Sequence, residues 1–204
     1  MKKRILSIAL LILVAASAGF AQTVEQQVAK IRQLYAATNK RIDEGIRDKI
    51  SGLHYAAWTI GGERDGQQWR AVGTMRSTDE FYFDCEPNDT EGCNNSNPRN
   101  LVRKIISTYA GAKDLRTRNE YVFNEAGELV FAFTGNLTNV GEDNTEVLKM
   151  IEQRFYFAKG KLIRVNRNDE NVDAKFTAED NAKAKNIVAE TTRLRNIFAL
   201  MFAE

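Results

Sequence analysis

Histidine is almost missing from this chain: His54 is the only one in 204 residues. A Ser-His-Asp or Cys-His mechanism would have to run through it, yet Ser51-Gly52-Leu53 just ahead of it lacks a nucleophile-elbow pattern. A packing or rim role at the start of a strand is the expectation for His54. Cysteine is nearly as scarce, with Cys85 and Cys93 alone. Two thiols and one imidazole do not close a zinc centre, so no metal site of that type is expected. The Cys-x-x-Cys spacing of a redox pair is absent as well. Glycine-rich phosphate loops are missing, because Gly61-Gly62 and Gly111 lack a strand-to-helix context and read as turns. No cofactor is therefore expected. The two prolines, Pro87 and Pro98, fall in one loop.

What is present begins with Lys2, Lys3 and Arg4, followed by the apolar run ILSIALLILVAASAGF and then Ala21-Gln22. A basic start, an apolar run and small residues at its end predict a secretory signal peptide over residues 1–21, cleaved after Ala21. The run is shorter than the roughly 20 residues of a membrane span, so no span is expected once the signal is removed. Residues 22–204 suit a single domain with a sizeable core. The signal takes three of the 29 basic residues and none of the 27 acidic ones, leaving 26 against 27. Such a balance gives no reason to expect nucleic-acid binding. Export, to the periplasm or beyond the cell, also predicts a Cys85–Cys93 disulfide closing the loop CEPNDTEGC.

Apolar residues recur at helical spacing from Thr23 to Ile50, through Val28, Ile31, Leu34, Tyr35, Ile42 and Ile46. Strand-like runs follow at 53–60, 67–76, 79–84 and 101–110, with turn residues between them. Two aromatic hairpins then organise the chain. EYVFNEAGELVFAF (120–133) turns on Glu125-Ala126-Gly127, pairing Phe123 with Leu129 and Tyr121 with Phe131. EQRFYFAKGKLIRV (152–165) turns on Lys159-Gly160, pairing Phe157 with Leu162 and Tyr156 with Ile163. Thr177 and Asp180 form a capping-box start for a last helix carrying Ile187, Leu194 and Phe198. Closely spaced strands without intervening helices imply antiparallel pairing. The predicted fold is α+β: an antiparallel β-meander sheet covered on one face by N- and C-terminal α-helices.

IRQLY in the first helix, RNLVRKI before a strand, EYVFNEAGELVFAF and QRFYFAKGKLIRV together resemble a family of small, uncharacterised exported bacterial proteins. The resemblance covers most of the chain after the signal, and FYF-x-x-GKLIR is its most specific part. It implies export and an α+β meander, and it implies no reaction. The cysteine-bearing loop is a departure from that pattern.

Without a catalytic motif, the expectation is an exported, non-catalytic domain that binds a protein, peptide or cell-envelope ligand. The candidate ligand-binding residues are Tyr156, Arg154 and Arg164, expected on an open sheet face, with Asp84 and Glu86 in the acidic loop. Asp84, Glu86, Asp89 and Glu91 also raise calcium binding, although the EF-hand order fails. The alternatives are a hydrolase acting on envelope glycan through Glu120 and Glu152, or a purely structural role in assembly.

Overall fold

The structure is a computed structural model, and it describes residues 22–48, 51–61, 75–85, 97–111, 116–139, 148–167 and 170–202. The predicted signal, the 67–74 part of a predicted strand, Glu86, Asp89, Glu91 and Cys93 lie outside the described residues. Helix α1 (Val24–Asp48) leads into strands β1 (His54–Gly61), β2 (Arg76–Phe83), β3 (Val102–Ala110), β4 (Arg116–Phe123), β5 (Leu129–Asn139), β6 (Leu148–Ala158), β7 (Lys161–Arg167) and β8 (Glu170–Val172). Helix α2 (Ala178–Met201) closes the order. All eight strands pair antiparallel with their neighbours in sequence, so the sheet is a pure meander.

The α+β meander is as predicted, but the helices do not share a face. Residues that alternate along one strand divide between two cores. Phe81, Phe83, Tyr121, Phe123, Phe155 and Phe157 pack with Ile187, Leu194 and Phe198 of α2. Val122, Phe131 and Tyr156 pack with Val28 and Ile31 of α1, while Tyr82 and Ile106 meet Ile42. The expectation of a single covered face is therefore corrected: α1 lies on one side and α2 on the other. The physical reason is in the aromatic triplets themselves. Their middle residues are as apolar as their flanks, so both faces had surface to bury.

Those triplets occur three times, not twice. Phe81-Tyr82-Phe83 and Tyr121-Val122-Phe123 end β2 and β4, and Phe155-Tyr156-Phe157 lies one residue before the end of β6. Each pairs with a return strand that carries one extra residue: Phe83 faces Val102 while Tyr82 faces Lys104, Phe123 faces Leu129 while Val122 faces Phe131, and Phe157 faces Leu162 while Tyr156 faces Arg164. Arg103, Val130 and Ile163 are thus equivalent β-bulges. The predicted pairs Phe123 with Leu129 and Phe157 with Leu162 are present. The next predicted pair in each hairpin is displaced by the bulge: Tyr121 faces Ala132, and Tyr156 faces Arg164.

The turns between β4 and β5 and between β6 and β7 are those expected. Gly127 has φ +75°, and Lys159 and Gly160 have φ +50° and +72°, the left-handed values of a bulged three-residue loop and a two-residue hairpin turn. At the start of α2, Thr177 accepts from the Asp180 amide while the Asp180 carboxylate accepts from the Thr177 amide, a complete capping box.

Candidate ligand-binding site

Helix α1 crosses the strands rather than following one. Its 25 residues span about 37 Å, close to the roughly 34 Å across eight strands. Its contacts advance along the sheet in chain order. Glu25 pairs with Arg164 on β7 at 2.5 Å. The Tyr35 hydroxyl donates to Glu120 on β4 at 2.9 Å. Lys104 on β3 donates to Asn39 at 2.8 Å, and Arg41 meets Asp84 just past β2 at 2.8 Å.

The helix rests on one cross-strand row, Tyr82, Lys104, Val122, Phe131, Tyr156 and Arg164. In the next row along the strands, Ile106 still meets α1 at Ile42, and Glu120, Phe133, Arg154 and Asn166 line the sheet beside the helix. Between them lies a cleft of about 490 Å³, bounded by Ile31, Arg32 and Tyr35 of α1 and by the sheet residues Glu120, Phe133, Arg154 and Tyr156. That volume is within the range of ligand pockets.

The walls are aromatic and the rim is charged. Tyr35 and Tyr156 each approach the Phe131 ring edge-on, with centroids 5.2 Å apart. Arg32 stands over the Tyr156 ring at 5.8 Å and Arg154 over Phe133 at 5.4 Å, arrangements in which a ring face steadies a cation. Arg154 is also paired with Glu152 at 2.9 Å. Arg32 makes no ion pair with any described residue, although its charge acts on Glu25 of the same helix.

At the inner end of the cleft, Glu120 accepts from Lys104, Tyr35 and Arg118 at 2.6, 2.9 and 3.0 Å. Burial pushes its carboxyl up, but these three donors outweigh burial and hold it below the ordinary carboxylate range. Burial draws the Lys104 ammonium below the usual lysine value, against the pull of Glu120. Burial raises the Tyr35 phenol. Glu120 is therefore an anion consumed by its own donors, and Glu152 is consumed by Arg154. Glu120 is thus held without its proton at ordinary pH.

Of the residues predicted for binding, the cleft brings together Arg154 and Tyr156. Tyr156 is not on an open face, since α1 covers it and leaves only part of its ring lining the cleft. Arg164 is corrected outright. It is 2% exposed, bonded to both Asp173 and Glu25, and these partners raise its pKa further. It fastens the start of α1 to the segment after β8. Asp84 is likewise engaged, between Arg41 and Arg103 at 2.8 and 2.5 Å, at the far end of α1 from Arg32. His54 is exposed at the start of β1 and stacks on Phe83 with centroids 5.6 Å apart, in keeping with the rim role expected. Among the described residues no group of three His, Cys, Asp or Glu side chains could hold a metal ion.

Sequence reasoning missed Lys104, Tyr35, Arg32 and Phe133. For Lys104 a signal existed: a lysine inside the β-branched run LVRKII sits where a buried cation needs a partner anion. No family model, no curated protein and no solved structure matches this chain.

Proposed function

We propose that this chain is an exported, non-catalytic binding domain whose α1-side cleft takes a peptide or cell-envelope ligand bearing an aromatic or apolar group next to a carboxylate. One observation carries the reading: Arg32 stands over Tyr156 at the mouth of an aromatic cleft without an ion-pair partner among the described residues. An apolar body fits against Tyr35, Phe131 and Phe133, and a bidentate carboxylate fits the Arg32 guanidinium. Export from a signal at 1–21, the Cys85–Cys93 disulfide and kinship with small exported bacterial proteins belong to the same proposal. The lone histidine and the near-neutral charge after the signal agree with it.

The matched probes N-acetyl-tyrosine and N-acetyl-tyrosinamide test it. Titrated against isotope-labelled protein, the acid should bind roughly tenfold tighter than the amide, with the largest shifts at Arg32 and Tyr156. Arg32→Gln should erase that difference. Equal binding of the two, or shifts confined to another surface, would overturn it.

A second reading, a hydrolase of envelope glycan, draws on a specific observation, because Glu120 and Glu152 line the same cleft. It ranks lower because a glycosidase needs one carboxyl that holds its proton, whereas the cations around Glu120 keep it ionised. Turnover of envelope glycan that is abolished by Glu120→Gln and by Glu152→Gln would reverse that ranking.

A further inference from the structure

The meander has two edges, and they are built differently. β8 is three residues long and contains Glu170. β1 is eight residues long, HYAAWTIG, and pairs with β2 along its whole length. Among the described residues nothing pairs with its other side. Natural sheets protect such an edge with lysine or another charge, with proline, with a bulge, or by keeping it short. β1 uses none of these. It has no charged residue and no proline, its register with β2 is unbroken, and Tyr55, Trp58 and Ile60 are 56%, 43% and 58% exposed.

We propose that β1 is the interface through which two copies of this chain join edge to edge into one continuous antiparallel sheet. The strand fits itself. For the α1 side of one copy to continue into the α1 side of the other, residues of like parity must face each other across the two-fold axis. Centring the pair on Trp58 sets indole beside indole and Ala56 opposite the partner's Ile60. Ala57 then faces the partner's Thr59. On the α2 side this joins Ala56, Trp58 and Ile60 of both copies into one apolar stripe, with no like charges opposed.

A second copy is favoured over a foreign segment because β1 offers no charge by which to select a charged peptide. Its apolar positions are instead complementary to themselves. The pairing is also closed: a head-to-tail contact would need β8, which is too short and carries an acid. Growth therefore stops at two copies.

Sedimentation velocity of the oxidised protein over a wide concentration range tests this. The expected result is a reversible monomer–dimer equilibrium, with hydrogen exchange of the β1 amides slowing as the dimer fills. Trp58→Lys should weaken association at least about tenfold, with circular dichroism reporting that the fold is retained. Ile60→Lys serves as an independent variant, and the exchange measurement needs no variant at all. A monomer at every concentration, a dimer indifferent to both lysines, or a monomer whose β1 amides are protected only by an added foreign peptide would each overturn the proposal.

Discussion

The Lys104 Nζ lies 2.6 Å from Glu120 Oε2, with side-chain exposures of 4% and 9%. The pair bridges β3 and β4 directly beneath α1, and Asn39 and Tyr35 reach down from the helix to complete it. Two charges thus take the place that an aliphatic cluster would fill in an ordinary helix–sheet contact.

Removing Glu120 leaves Lys104 a buried cation without its anion, which costs about 3–5 kcal/mol, whereas removing Lys104 leaves Glu120 still paired with Arg118 and Tyr35. Glu120→Gln should lower stability to urea by an amount approaching this, and Lys104→Met by less. The double variant should lose much less than the two losses added together. A double-mutant cycle reads the coupling directly, and strict additivity would show that the two groups do not interact.

Stability should fall at both ends of the pH scale. Arg164 holds the Asp173 carboxyl low. Glu120 and Asp180 are also low, despite the upward push of burial on each. A depressed folded pKa means a contribution present above the unfolded carboxylate value of about 4 and lost as pH falls through the folded values. At the alkaline end, burial, with help from Glu80 and Tyr55, pushes the Tyr82 phenol up to about 12. A raised folded pKa gives a contribution complete below about pH 10 and lost as pH rises from there through about 12. Urea midpoints across pH should show both limbs. Tyr82→Phe should flatten the alkaline one, and an unchanged limb would refute its assignment.

The N-terminus of α2 separates two energies. Thr177→Ala removes a cap and should cost about 1 kcal/mol. Asp180→Ala should cost more, because the same carboxylate is 2% exposed and pairs with Arg167 at 2.5 Å. Thermal unfolding of the two variants gives the order, and a milder Asp180→Ala would contradict the buried pairing.

Two hairpin glycines share a backbone conformation and differ in surroundings. A Cβ at Gly160 would meet nothing within 4 Å, whereas one at Gly127 would stand 2.9 Å from both the Arg195 guanidinium and the Asn100 side-chain oxygen. Gly160→Ala should cost only the left-handed strain, about 1 kcal/mol. Gly127→Ala should cost more, because Arg195 ties α2 to Gly127, Arg99 and Asn100. Equal chemical-denaturation midpoints for the two variants would show that the Arg195 staple yields freely.

Much of the fold was legible because alternation and turn chemistry are local. Phe123, Phe157 and Leu162 share a face as read, and Thr177 with Asp180 caps the last helix. The third aromatic hairpin was hidden because residues 84–101 separate Phe81-Tyr82-Phe83 from its return strand, so no short window contains both. The placement of the helices was hidden for another reason. A triplet such as Phe155-Tyr156-Phe157 is apolar at every position, and its alternation cannot say that both sides are buried. Arg164 misled in the opposite direction: an arginine in a strand reads as solvated, and its anions Glu25 and Asp173 stand 139 and 9 residues away. The candidate site suffered most, because its helix wall and its sheet floor come from distant parts of the chain.

The three equivalent bulges give each ribbon its own pin against slippage. A whole ribbon could then be gained or lost in evolution, or by design, without disturbing how its neighbours align, as in modular arrays. What limits such growth is the first helix, whose reach already matches the breadth beneath it. A broader variant would have to lengthen that helix in proportion or leave its outer ribbons bare.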